Sequence, residues 1–373
     1  MPYSFDDVIA RKDTESTKWT RFPPEVLPFW VADMDFAAPD FILDAIRKRL
    51  DHPILGYTRT PPSLAESFQG WLEYHFGWSV PSEWIVWVPG VVPQLNLAAQ
   101  LLPARSELLI PTPVYHPFLD LAENAGIRDI RVPMQESPRW TMDFAAMADA
   151  LTPETRMLVI CNPQNPTSRC YDDGELQDLA SFVEQHDLLL VSDEIHANIV
   201  LAPDRRHRPI AAAHPELASR TITLYAATKI YNIPGMTCAA AVIPDEALRQ
   251  QFMDARAGLQ PGIGPLEFIA SEAAFNDRSQ WIPELMDYLR GNFALVKDAL
   301  GDRVADLEAT YLAWINVRDL GLDDTEAYFA DHGIGISPGA QFGESGHIRF
   351  NFGCPRQTLE QGLERLTRAI AAG

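Results

Sequence analysis

The chain has 373 residues, 47% hydrophobic and 22% charged, the composition of a globular protein with a sizeable core. Its 30 basic and 51 acidic side chains give a net charge of −21 with no basic tract, a field that repels phosphate backbones and anionic lipid, so no nucleic-acid or membrane binding is expected. The opening MPYSFDDVIARKD lacks the apolar core of a secretion signal, no apolar run reaches the roughly 18 residues of a membrane span, and the four cysteines form no CxxC pair, so a cytoplasmic chain with reduced thiols and no metal centre is expected.

The first 40 residues, rich in Trp and Pro, show no periodic element and are expected to wrap a larger domain or join a smaller one. VPGVVPQLNLAAQLL (88–102) reads as a glycine turn opening a helix, with Leu95, Ala98, Ala99 and Leu102 on one apolar face. Beyond it, ELLIPT (107–112), RMLVICNP (156–163), DLLLVSDE (187–194) and RTITLYAA (220–227) are continuous apolar runs bounded by polar residues or Pro, the pattern of buried strands. Between the second and third, Leu176, Leu179, Ala180 and Val183 recur at helical spacing, and Asp172 with Glu175 resembles a capping box. Strand, helix, strand predicts a right-handed parallel crossover and an open α/β sheet. CAAAVIP (238–244) follows after only about ten residues, too few for such a crossover, so it is expected to run antiparallel. Past residue 280 the pattern predicts a long helix (281–300), strands at VADLEA (304–309) and YLAWINV (311–317), a helix near 323–332, a strand in HIRFNFG and a final helix, a smaller α+β domain. The expected division is an N-terminal segment 1–45, a large domain 46–280 and a small domain 281–373.

Open α/β sheets bind ligands at the carboxyl ends of their strands. Asn165, Asp193 and Lys229 stand at three such ends. Any one alone would read as a solvated loop residue; together they are harder to dismiss. Lysine is scarce here, at five residues, while arginine supplies the surface charge. A lysine between an apolar strand and IYNIPGMTCAAAV is therefore expected to be desolvated, with a lowered pKa and a neutral amine able to form a Schiff base. Asp193 is the type of group that pairs with a pyridinium nitrogen, which points to pyridoxal phosphate (PLP) as an electron sink at an amino acid's Cα. The amides of Gly90, Val91 and Val92, opening a helix, would face its phosphate. No GxGxxG, Walker A, HExxH or GxSxG motif is present.

With TESTKWTRF, LPFWVADMDFAAPDFI, GYT, VPGVV, PTPVYHPF, CNPQNPTSR, VSDEIHANIV, ATKIYNIPGM, ATYLAWINVRDLG and HIRFNFGCPR in this order, the chain resembles fold-type I PLP enzymes of the class I/II aminotransferase kind. Within them it resembles the MalY/PatB group of cystathionine β-lyases (C–S lyases). The resemblance implies a mostly parallel sheet with one antiparallel strand in a large domain, plus the smaller α+β domain. It makes Lys229 the cofactor lysine, Asp193 the pyridinium partner and Asn165 a donor to the 3-hydroxyl. His196 stands where many aminotransferases place a tyrosine for that same oxygen. Tyr115 would stack on the ring, or else belong to the core. Thr228 would supply the hydroxyl beside the lysine, and Tyr57 a phosphate contact from a second subunit. Arg349 would fork onto the substrate α-carboxylate, with Arg356 as the lesser alternative.

The sequence departs from the pattern in three places. CNPQNPTS replaces CNPHNPVG and loses a glycine at Ser168; ATK replaces SK; and Thr237 lies where several aminotransferases carry an arginine on the phosphate. The activity implied is β-elimination from cystathionine or another cysteine S-conjugate, giving thiol, pyruvate and ammonia. An aminotransferase shares every step up to the carbanion and is the alternative. A PLP-fold protein that binds a regulatory partner is a third reading, weakened by the intact Lys229, Asp193 and Arg349. A homodimer with shared active sites, acting on a small-molecule amino-acid substrate, is implied as well.

Overall fold

The computed structural model describes residues 3–137 and 139–373. Its main sheet has seven strands: β1 (Ile85–Val88), β2 (Glu107–Thr112), β3 (Arg128–Pro133), β4 (Thr155–Cys161), β5 (Leu189–Asp193), β6 (Thr221–Tyr225) and β7 (Ala239–Val242). They lie in the order β1-β7-β6-β5-β4-β2-β3. β7 is antiparallel to both its neighbours, as the short connection requires, and the other pairs are parallel.

The central strands are apolar throughout because both faces of the sheet are covered. Met157, Val159 and Cys161 of β4 pack with Leu108, Ile110 and Val191 on one face. Leu158 and Ile160 pack with Leu109 and Leu190 on the other. This period-two sorting into two apolar layers is the physical content of a continuous hydrophobic strand. The crossover helix Asp173–Gln185 opens on the expected capping box: the Asp172 carboxylate accepts the Glu175 amide at 3.0 Å, and the Glu175 carboxylate accepts the Asp172 amide at 2.9 Å.

Two strands have no counterpart in the sequence reading. β1 is four residues running into the glycine turn, and β3 is an edge strand whose Arg128, Asp129 and Arg131 interrupt any apolar run.

Past residue 280 come the helix Trp281–Leu300 and a second sheet of β8 (Leu312–Asn316), β9 (Ser337–Pro338) and β10 (His347–Asn351), antiparallel in the order β9-β10-β8. Helix Thr325–Asp331 packs against β9, and helix Arg356–Ala372 packs against the helix Trp281–Leu300 and against Ile334–Gly335. The strand expected at VADLEA does not form; only single bridges occur, at Val304 and Ala309. Its polar groups are engaged elsewhere. The amides of Glu308 and Ala309 donate to the Ser168 carbonyl, and the Glu308 carboxylate takes buried Arg169 at 2.8 Å. A backbone tied to loops on both sides has no free ladder to offer a neighbour.

The Trp- and Pro-rich N-terminal segment reaches both sheets. Leu27–Pro28 pairs in parallel with Ile334–Gly335. The Asn351 side-chain amide donates to the carbonyls of Val31 (2.6 Å) and Asp33 (2.9 Å), and Asn232 does the same to Met34 (2.9 Å) and Phe36 (2.7 Å). Asp35 anchors the segment through buried Lys18 at 2.6 Å and through Arg11 at 2.8 Å.

Candidate active site

The carboxyl ends of β1, β2, β4, β5 and β6 open onto one cavity of about 740 Å³, counting its mouth. Gly90, Val91 and Val92 line it from the turn after β1, and Tyr115 from the loop after β2. Asn165 follows β4, Asp193 and His196 follow β5, and Thr228 with Lys229 follow β6. Nine of the eleven expected residues thus share one wall system. Arg349 lies in β10 and lines an adjoining cavity, which shares Ala32, Tyr115 and Lys229 with the first. Tyr57 lines neither; it is fully exposed in a stretch without secondary structure between two helices.

Gly90 has φ +86°, a left-handed conformation that glycine adopts without steric cost. Its N–H donates to the Val88 carbonyl at 3.0 Å, so it is not free for an anion as expected. The amides of Val91 and Val92 remain as orphan donors at the start of the helix Val92–Gln100. Thr228 and Thr237 add hydroxyls to the lining of the same cavity, which carries no arginine among its described lining residues.

The Lys229 amine donates to the carbonyl of Ala32 at 2.6 Å. Burial pulls its pKa down to about 8, opposed by the negative charges of Asp33 and Asp193. Burial likewise pushes Asp193 up to about 7, although the Ile195 amide donates to its carboxylate at 3.1 Å. Asp193 forms no ion pair with any described residue. His196 is buried, and burial together with the nearby Lys229 and Arg349 charges holds its imidazole well below the ordinary range. Its Nδ1 has no hydrogen-bond partner among the described residues. Burial also raises the Tyr115 hydroxyl.

Arg349 is 3% exposed, and burial lowers its guanidinium to about 10, still charged at neutral pH. It donates to Asn165 at 2.9 Å and to the Trp30 carbonyl at 2.6 Å, and it lies over the Phe342 ring at 4.7 Å. Among the described residues no carboxylate pairs with it and its Nε has no partner. A buried cation so placed is completed by an anion from outside. Arg356, by contrast, stacks on Tyr288 at 4.8 Å and donates to Asn292 at 3.4 Å, away from both cavities.

Ser168 has φ +59°, which accounts for glycine in the resembled pattern at this position. Its hydroxyl bonds Thr310 at 2.6 Å and the Leu312 carbonyl at 2.5 Å, and these contacts offset the backbone cost. Two contributors have no direct signal in the sequence. Ala32 acts through its backbone carbonyl, and Asn232, at φ +52°, ties the turn after Lys229 to the N-terminal segment. Both lie inside motifs quoted for the resemblance, WVADMDF and ATKIYN, but no periodicity marks them.

The profile of the aminotransferase class I and II family matches residues 24–366, and the chain belongs to that family. It is similar to cystathionine β-lyase PatB of Bacillus subtilis (strain 168), with 32% identity over 99% of this chain and 100% of that protein. The crystal structure of OvoB is 37% identical with a TM-score of 0.96, covering 100% of both chains. Cystalysin from Treponema denticola, whose crystal structure contains pyridoxal 5′-phosphate, is 29% identical with a TM-score of 0.94 over 100% of both chains. Fold type I and the MalY/PatB group are therefore the chain's structural and sequence kin, as its motifs implied.

Proposed function

We propose that the protein is a PLP-dependent C–S β-lyase that cleaves cystathionine or related cysteine S-conjugates to thiol, pyruvate and ammonia. The observation that carries this reading is the meeting of two cavities at Lys229: one ends on buried Asp193, the other on the uncompensated Arg349. The groups left unmet fit the cofactor. The amides of Val91 and Val92 and the hydroxyls of Thr228 and Thr237 suit a phosphate. Asp193 suits a protonated ring nitrogen, Asn165 and the free Nδ1 of His196 suit the 3-oxygen, and Tyr115 suits the ring face.

Pyridoxal phosphate supplies an electron-withdrawing ring that accepts the electron pair left at Cα. The Arg349 fork holds the substrate α-carboxylate and orients Cα toward the shared wall. The Lys229 amine, its pKa brought near 8, takes the Cα proton and is placed to return it to the departing sulfur. Asp193, which forms no ion pair with any described residue, would hold a proton at the ring nitrogen. Trp30 and Tyr115 wall the approach to Lys229 and Arg349.

Transamination would use the same lysine to deliver a proton to the cofactor carbon. Incubation with cystathionine and no keto acid separates the two: pyruvate and a free thiol are expected, in equal amounts. Product that requires an added keto acid would assign the aminotransferase activity instead.

The working unit is a cytoplasmic homodimer in which Tyr57 contacts the neighbour's cofactor phosphate. Full exposure of Tyr57 beside exposed Ile54 and Leu55 supports this, and so do four free, buried cysteines for a reducing compartment. Among the described residues no helix is long and apolar enough to cross a membrane. An active monomer in sedimentation would defeat the shared-site arrangement. The division into 1–45, 46–280 and 281–373 is supported by the two sheets, which lie within 85–242 and 312–351.

A further inference from the structure

The cavity that ends on Arg349 continues outward past Lys229 and Tyr115 into a vestibule walled by Arg21, Trp30, His116, Asp120, Glu123 and Arg131. Arg21 is held over the Trp30 ring at 4.5 Å, and one of its Nη atoms reaches Glu326 at 2.6 Å. Its other donors make no hydrogen bond with the described residues, so half of a planar fork is free. Trp30 joins the two arginines: its carbonyl accepts from Arg349 at 2.6 Å while its ring carries Arg21. In a chain of net charge −21, two arginines on either side of one tryptophan concentrate positive charge against the background. Asp120 and Glu123, three residues apart in the same vestibule, form no ion pair and no side-chain hydrogen bond with any described residue. At the inner end, Arg349 is buried and its Nε has no partner among the described residues.

These unpaired charges have a pattern. Inside stands a cation that needs a carboxylate; outside stand a half-free arginine and two exposed carboxylates without a described partner, while the third arginine of the lining, Arg131, is engaged by Asp129 and the Leu119 carbonyl. A thioether joining two amino acids meets all of them, because it carries one carboxylate at the cleaved end and a zwitterionic head on the leaving thiol. We propose that Arg21 holds the distal carboxylate, and Asp120 with Glu123 the distal ammonium, of such a bis-amino-acid thioether. The preferred substrate class is thereby set apart from simple S-alkylcysteines. The inference rests on the lyase reading and refines it.

The test is the ratio of kcat/KM for cystathionine to that for S-ethylcysteine, measured on the holoenzyme as pyruvate release. Arg21→Gln is expected to lower the ratio about tenfold, chiefly through the KM for cystathionine, because a charge-assisted contact is lost. Arg21→Lys, which keeps the charge without the fork, is expected to fall between the two and carries the test should Arg21→Gln fail to fold. Asp120→Asn combined with Glu123→Gln is expected to lower the ratio several-fold. A ratio in the Arg21 variants within twofold of the parent overturns the distal site while leaving β-elimination standing. Absence of pyruvate from both substrates with the parent enzyme overturns the lyase reading, and the distal site with it.

Discussion

Replacing Lys229 by Ala is expected to lower turnover by roughly 10⁴-fold or more, because one side chain serves as cofactor anchor and as proton carrier. The variant should also lose the yellow colour of a lysine-bound cofactor, a readout independent of activity. Borohydride reduction of the parent followed by peptide mapping should place the pyridoxyl label on Lys229, and a label on any other lysine would refute the assignment. The environment adds a pH signature. An ordinary lysine near 10.4 is almost wholly protonated at pH 8, whereas burial brings Lys229 to about 8, where half its amine is neutral and nucleophilic. Cofactor-stripped protein should therefore take up pyridoxal phosphate faster as pH rises toward 8 and level off above it. Uptake that keeps climbing toward pH 10 would show an unshifted lysine.

Arg349→Ala is expected to cost about 2–4 kcal/mol in kcat/KM for every amino-acid substrate, on the order of 100-fold, because a two-pronged charge-assisted contact is lost. The loss should appear mostly in KM, and the products should stay the same, since the arginine touches the carboxylate and not the reacting bond. Arg349→Lys should recover little, a single ammonium being unable to reproduce the fork. Removal of Arg349 also frees Asn165 from a 2.9 Å hydrogen bond, so weaker cofactor retention is expected alongside. A loss below tenfold would mean that the carboxylate is held elsewhere. Arg356, stacked on Tyr288, is not placed to take over.

The parallel sheet was legible because its strands are apolar on both faces, and such runs admit few other readings. β7 was legible through a constraint on loop length alone. What escaped has physical reasons. β3 is an edge strand whose charged residues look like a loop, and VADLEA looks like a strand while its amides and its one buried carboxylate are spent on Ser168 and Arg169. In the site, side chains that end strands could be read off the sequence, whereas roles played by backbone could not. The Ala32 carbonyl leaves no mark on composition, and the internal bond that occupies the Gly90 amide is a matter of local geometry. Tyr57 is a different case, for its expected place belongs to a surface that one chain does not contain.

The N-terminal segment has a consequence for how the site keeps its dimensions. Arg349 is bonded to the carbonyl of Trp30 and Lys229 to that of Ala32, acceptors two residues apart on one stretch of main chain. Two residues of polypeptide reach no farther than about 7 Å. The separation between the group that grips a carboxylate and the group that moves a proton is thus gauged by covalent geometry, like two marks on a ruler clasped by Asn232 at one end and Asn351 along its length. Side chains on this stretch can drift without altering the gauge, since the acceptors belong to the backbone. A residue inserted or deleted between Trp30 and Ala32 would change the spacing itself, which no neighbouring substitution could restore.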